Sequence, residues 1–169
     1  MGFFDKLFGG KAKDENTSKF TNQSKTILTP LQGKVLAQAD IPDETFAQGI
    51  LGPGCGIEPT GDTVYAPFDG TVTQIATTLH AVGITSNDGI ELLIHVGMDT
   101  VDMKGQGFTA LVKEGQKVTA GTPLLKVDLD AIRAAGHPTA TAIIVTDGAD
   151  DVKMLAEGDV VPGTPLFKV

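Results

Sequence analysis

Apolar residues along this chain fall in short runs that Gly and Pro interrupt, and few stretches carry a helical spacing. Short runs rich in Val, Ile and Thr between turn residues predict strands joined by tight turns. Two such runs repeat. Thr29-Pro30-Leu31-Gln32-Gly33-Lys34-Val35 returns as Ala66-Pro67-Phe68-Asp69-Gly70-Thr71-Val72. Glu114 to Val127 returns as Glu157 to Val169, one residue shorter, with Gly-Thr-Pro-Leu in both copies. Pro-x-x-Gly ahead of a β-branched run is a turn feeding a strand. Two copies of each are too few for a solenoid. The expected fold is all-β: an internally duplicated antiparallel β-sandwich or flattened barrel with a few short helical turns. Its roughly ten or more strands would bury the apolar faces of the two halves against each other.

Helical material is minor. Asp128 or Asp130 is placed to cap Leu129 to Ala135, which Gly136 and Pro138 stop. Pro42 to Phe46 predicts one turn with acidic residues at the favourable end of its dipole. Asp150 to Ala156 is a third short candidate. Residues 1–26 differ from the rest and read as a flexible N-terminal segment. Phe3, Phe4, Leu7 and Phe8 share one face of a short amphipathic helix, Gly9-Gly10 ends it, and Lys11 to Thr26 is polar and linker-like. The helix reads either as a frayed terminus or as a weak interfacial anchor. Lys6 stands where a myristoylation signal needs Ser or Thr.

Composition narrows the partners. A chain of 169 residues accommodates one domain, residues 27–169, plus the tail. The net charge of −8 excludes the basic stripe a nucleic-acid binder needs, and it suits a cationic protein partner. A lone Cys55 permits no intrachain disulfide and fits a reducing compartment. No run approaches the ~20 apolar residues of a membrane-spanning helix. The expected location is cytoplasmic.

The candidate chemistry lies in two of the three histidines. His95 ends the apolar run of Gly89-Ile90-Glu91-Leu92-Leu93-Ile94-His95, and His80 lies in a second apolar run, Thr77 to Ile84. Both runs read as strands able to lie side by side. A neutral imidazole can be a nucleophile, a proton carrier or a metal ligand near neutral pH. As a nucleophile toward phosphorus it gives a labile N–P bond, and a second imidazole can donate to the phosphoryl oxygens. Thr78, on the strand face of His80, is the candidate that fixes that donor's tautomer. Asp99 could orient a ring or meet a cationic partner.

Competing readings exist. Either histidine could be a satisfied core residue, although Ala81, Gly83 and Gly97 leave room for an approaching molecule. His95, Asp99 and His80 could instead be zinc ligands of a hydrolase. Met103-Lys104-Gly105 poorly imitates the modified hairpin of a lipoyl or biotin carrier. His137 reads as a loop residue, Cys55 as a small buried side chain, and Asp147, Asp150, Asp151, Glu157 and Asp159 as a solvated face.

Taken together, Gly89 to Val101 resembles the phosphorylation-site signature of the glucose-class IIA component of the bacterial phosphoenolpyruvate-dependent sugar phosphotransferase system. Further matches hold their order: Pro42-Asp43 with Phe46-Ala47, Pro59-Thr60-Gly61, Ala66-Pro67 with Asp69-Gly70-Thr71, His80-Ala81, Lys104-Gly105 with Gly107-Phe108, and Glu114-Gly115-Gln116. Met1-Gly2 with Phe4-Asp5-Lys6-Leu7 is similar to the start of free-standing members. The resemblance implies an antiparallel β-sandwich with both histidines in a shallow apolar depression. It implies that His95 accepts phosphate through Nε2 from the phosphohistidine of HPr, and that His80 holds the phosphoryl group and is needed to pass it on. By the same resemblance, Thr78 orients His80, Asp43 and Asp99 meet an arginine of HPr, and Phe46 belongs to the docking ring.

The recipient it implies is a cysteine of a sugar-specific IIB domain, with no cofactor required. Some members also regulate, binding permeases and glycerol kinase when unphosphorylated and stimulating adenylate cyclase when phosphorylated. In such complexes a zinc ion can be shared by His80, His95 and a partner glutamate. Glu44-Thr45 departs from those members, which carry apolar residues there. For the tail, the expected outcome is weak attachment to anionic vesicles through residues 1–8. Flotation of the full chain beside one beginning at Lys25 tests it, and equal flotation of the two would refute it.

Overall fold

The computed structural model describes residues 18–169. The helix expected over residues 1–8 lies outside them. The chain begins with β1 (Thr26–Leu28), β2 (Gly33–Leu36) and β3 (Gly54–Pro59), and continues with β4 (Thr63–Tyr65), β5 (Gly70–Ile75) and β6 (Ala81–Ser86). Then come β7 (Glu91–His95), β8 (Phe108–Ala110), β9 (Lys117–Val118) and β10 (Pro123–Val127). The last four are β11 (Thr141–Asp147), β12 (Lys153–Met154), β13 (Asp159–Val160) and β14 (Pro165–Lys168). Helices are short: α1 (Glu44–Ala47), α2 (Leu129–Ala134), and 3-10 turns at Gln38–Asp40 and Thr100–Met103. Asp43 caps α1 through the Phe46 N–H, and Asp128 caps α2 through the Ala131 N–H.

The duplication read in the sequence is the organising symmetry of the fold. The large sheet runs β13-β2-β3-β11-β7-β6-β5-β9, and two small sheets run β1-β14-β12 and β4-β10-β8. Exchanging β1–β3 with β4–β6, and β7–β10 with β11–β14, maps the large sheet onto itself and the small sheets onto each other. Repeated residues make matching bonds. Leu28 N–H donates to Pro67 C=O at 3.0 Å while Tyr65 N–H donates to Pro30 C=O at 2.8 Å. Thr29 N–H reaches Thr164 C=O at 2.7 Å, and Ala66 N–H reaches Thr122 C=O at 2.8 Å. The two copies are thus stitched together at the Thr-Pro and Ala-Pro turns that the pattern singled out.

The sheets pack face to face around one main core. Val72, Val82, Ile84, Leu92, Ile94 and Ile143 of the large sheet meet Ile27, Val64, Leu125 and Phe167 of the small ones. The sheets stay open, with β13 and β9 at the edges of the large one, so the molecule is a sandwich and not a flattened barrel. Cys55 is buried in this core, which pushes its thiol up to about 12 and keeps it from acting as a nucleophile. On the opposite face of the large sheet a second cluster forms from Ile41, Phe46, Met98, Ala142 and Ile144.

Two expectations change. Asp150 to Ala156 is not helical; Lys153–Met154 pairs with β14 as an edge strand, since tertiary pairing outweighs a weak local helical preference. The linker reading of Lys11 to Thr26 is narrowed, because residues 18–25 lie against the domain. Phe20 packs on Tyr65 with ring centroids 5.6 Å apart, Asn22 accepts from Asp69 N–H, and Asp88 accepts from Ser24 and from Lys25 N–H.

Gly33 and Gly70, the repeated glycines of the two Pro-x-x-Gly turns, have a shared steric reason. A Cβ at Gly33 would lie 2.1 Å from Glu58 C=O, and one at Gly70 would lie 2.1 Å from Thr85 C=O. Gly70→Ala and Gly33→Ala should each cost about 3 kcal/mol or more by forcing strands apart. Gly83→Ala, where new contacts begin at 3.5 Å, should stay within about 1 kcal/mol. Urea unfolding of the three variants checks this, and equal losses at Gly70 and Gly83 would contradict it.

Candidate active site

His95 is the last residue of β7 and sits between small neighbours. Its register partners are Ala81 on β6 and Ala142 on β11, which point to the same face and leave room for an imidazole. Ile94 and Leu92 face the main core, so alternation puts His95 and Leu93 on the outer face with the second cluster. The strand ends because Gly97 turns in a left-handed conformation, with φ of 75°. A Cβ there would lie 2.5 Å from the Thr100 methyl and 3.0 Å from Pro138 C=O. Only glycine fits.

That turn brings Gly97 C=O to 2.9 Å from His95 Nδ1. A carbonyl can only accept, so Nδ1 must carry the proton and Nε2 keeps its lone pair. The neutral ring is thereby held in the tautomer whose free nitrogen is Nε2. Phe46 covers one side, its ring centroid 5.0 Å from that of His95. His80 stands on another side, 4.7 Å away and nearly edge-on at 82°. Burial pulls the His95 pKa below its ordinary value and neighbouring His80 adds to this, while Gly97 C=O and Asp43 oppose it. The neutral ring is favoured.

His80 reaches this position by a different local structure from the strand expected. Thr77 to His80 form a tight turn, and β6 begins only at Ala81. Leu79 takes φ of 63°, uncommon for a residue with a side chain, and Val96 N–H bonds His80 C=O at 2.8 Å. The turn does what the strand reading assigned to a shared face: Thr78 Oγ1 lies 2.8 Å from His80 Nδ1. When that hydroxyl donates, His80 Nε2 carries the proton and becomes a donor. Burial lowers the His80 pKa, offset by a backbone hydrogen bond at Thr78.

The structure therefore gathers His80, His95, Thr78, Phe46 and Asp43. Asp43 is half-buried at the start of α1, and its charge acts on His95. Asp99 is different: it is exposed in a left-handed conformation ahead of the Thr100–Met103 turn, and its side chain caps nothing. Lys104 ends that turn and is not a hairpin tip. Among the described residues, no group of three or more His, Cys, Asp or Glu is placed to hold a metal ion. The two imidazoles would give a zinc ion two of its usual four ligands. His137 lies half-buried after α2, and the acidic residues Asp147, Asp150, Asp151, Glu157 and Asp159 are exposed. Sequence reasoning missed the Gly97 carbonyl and the Leu79 turn; the only signal for the first was a glycine two residues after a histidine.

The family model for the phosphoenolpyruvate-dependent sugar phosphotransferase system, EIIA 1, matches residues 25–151. The chain belongs to this EIIA family. It is 46% identical over 146 residues to the PTS system glucose-specific EIIA component of Halalkalibacterium halodurans, covering 85% of this chain and 83% of that one. It is 48% identical over 121 residues to the beta-glucoside-specific EIIBCA component of Bacillus subtilis, covering 72% of this chain and 20% of that protein. The glucose permease IIA of Mycoplasma capricolum superposes with a TM-score of 0.80 at 31% identity, covering 89% of this chain and 98% of that one. The β-sandwich is thus the fold of the EIIA family. Among the described residues, no helix of this member is long and apolar enough to cross a membrane.

Both site histidines have lowered pKa values, so the unfolded chain, with histidines near 6.5, binds protons that the folded chain does not. Their contribution to stability is complete above pH 6.5 and is lost as pH falls through the folded values. Urea midpoints should accordingly drop between pH 7.5 and 5.5 by less in His80→Gln and His95→Gln than in the parent chain. An identical drop in all three chains, or NMR titration of both rings at or above 6.5, would rule this out.

Proposed function

We propose that this EIIA member is a phosphocarrier in sugar uptake, accepting a phosphoryl group from the phosphohistidine of HPr on His95 Nε2. The observation that carries the reading is the bond from His95 Nδ1–H to Gly97 C=O, which leaves Nε2 unprotonated beside His80. In the first step the Nε2 lone pair attacks phosphorus and the donor N–P bond breaks, its electron pair returning to the donor imidazole. His80, with Thr78 on Nδ1, presents Nε2–H to the phosphoryl oxygens as charge spreads over them. In the second step a cysteine thiolate of a sugar-specific IIB domain attacks, and the N–P bond to His95 breaks. No cofactor enters either step.

Asp43 and Asp99 are the groups that would meet a cationic residue of HPr, and Phe46 supplies apolar contact next to the nucleophile. Glucose is the sugar class that the similar free-standing component's name supports. Names of fused EIIBCA relatives support a IIB partner. The same depression would serve regulation by binding permeases, glycerol kinase or adenylate cyclase. A zinc ion there would need a partner carboxylate beside His80 and His95. Glu44 and Thr45, both exposed on α1, set this rim apart from the apolar one such partners meet. Work in a reducing cytoplasm, with weak membrane contact through residues 1–8, fits the composition.

Incubation with phosphoenolpyruvate, enzyme I and HPr should add one acid-labile phosphate of about 80 Da, read by intact mass. His95→Gln should take up none. His80→Gln should accept phosphate and donate it poorly to a IIB domain. Labelling of His95→Gln would remove His95 as the acceptor, and no gain in the parent chain with HPr phosphorylated would remove the carrier reading.

A further inference from the structure

Gln38 has a half-buried side-chain amide and opens the 3-10 turn at Gln38–Asp40. Its Nε2 donates to Phe46 C=O at 3.0 Å and to Gly52 C=O at 2.8 Å, while its Oε1 accepts from Gly54 N–H at 3.2 Å. One side chain therefore ties the end of α1, the loop after it and the start of β3. The loop lies tight against β11: a Cβ at Gly52 would fall 1.9 Å from Val145 C=O, and one at Gly54 would fall 2.0 Å from Ile143 C=O. With that side of the loop fixed by backbone, the free end is α1, which carries Phe46. The α1 helix has only four residues, so its own hydrogen bonds hold Phe46 weakly.

We propose that Gln38 is a positioning residue for the phosphoacceptor, setting where the Phe46 ring lies against His95. A fully satisfied amide between two carbonyls and an N–H fixes the end of α1 in distance and rotation. Phe46 is 6% exposed, and its other neighbours in the second cluster, among them Ile41, Met98 and Ile144, are apolar side chains that offer it no directional bond. The inference uses the carrier reading only for its kinetic arm; the contact itself is testable without phosphate.

The experiment compares Gln38→Leu, Phe46→Ala and the double variant, with Gln38→Glu as a second probe that keeps an acceptor for Gly54 N–H and loses both donors. Gln38→Leu should move the His95 ring-proton resonances in the direction Phe46→Ala moves them, because the aromatic ring current is displaced. Phosphate acceptance from phospho-HPr should slow about tenfold in Gln38→Leu, and the double variant should be no slower than the slower single one. Rate losses that multiply in the double variant would mark Gln38 as merely structural and overturn the proposal. Unmoved His95 resonances in both folded Gln38 variants would overturn it as well. A parent chain that takes no phosphate, with His95 resonances still displaced by Gln38→Leu, would remove the carrier reading and leave the positioning role standing.

Discussion

The hydrogen bond from His95 Nδ1–H to Gly97 C=O decides which imidazole nitrogen keeps its lone pair, and much of the local structure holds it. The carbonyl reaches Nδ1 because Gly97 turns left-handed at the end of β7. That turn is closed by Thr100, whose buried hydroxyl donates to Val96 C=O at 2.6 Å, and by Met98 N–H, which donates to Pro138 C=O at 3.0 Å. Each closing contact involves a group with no water to bond instead, so losing one leaves a buried polar atom unpaired. The tautomer is therefore determined by backbone geometry and not by a neighbouring acid. This differs from sites in which a carboxylate holds the ring and raises its basicity.

The symmetric scaffold explains how such a site can stand on a surface. An eight-stranded sheet whose order reads alike from both ends places β7 and β11 at its centre, where pairing on both sides restrains them most. His95 sits on one of these two strands, with a paired residue on each side, Ala81 and Ala142. The site itself breaks the symmetry, because the turn at Thr77 to His80 and the helix α1 cover the outer face beside β7. A rigid central strand with irregular, locally strained elements on one face is an efficient division: stability lies in the duplicated core, and Leu79, Asp99 and Lys104 take up positive φ around the site.

Much of this was legible in the sequence, for physical reasons that differ by element. The duplication could be read because Pro-x-x-Gly marks a turn whose glycine has a steric requirement, and both copies kept it at Gly33 and Gly70. Cys55 could be read as inert because no cation stands beside it in sequence. The closeness of Thr78 to His80 follows from a separation that suggested it, although the local structure is a turn and not a strand. A two-residue spacing puts side chains together in a strand, and the left-handed Leu79 does the same in a turn, so spacing alone does not separate the two. The edge strand at Lys153–Met154 was illegible because it depends on β14, which arrives later in the chain. The role of Gln38 was equally hidden: an amide meeting Phe46, Gly52 and Gly54 across eight to sixteen residues leaves no local pattern.

The electrostatics of the site set a direction for any anionic group it carries. Two imidazoles with lowered pKa values bring little positive charge near neutral pH, and Asp43 beside them is negative. An attached phosphoryl group would add further negative charge beside Asp43, on a chain that also exposes Glu44 on α1 and Asp99 after β7. Repulsion in that arrangement would weaken a phosphorylated state, and the N–H of His80 would offset part of it. A cationic partner surface would relieve the repulsion while docked and withdraw that relief on leaving. On the carrier reading, the arrangement would favour a group held briefly and handed on over one stored, and exchange would be strongest at low ionic strength, where exposed charges are least screened.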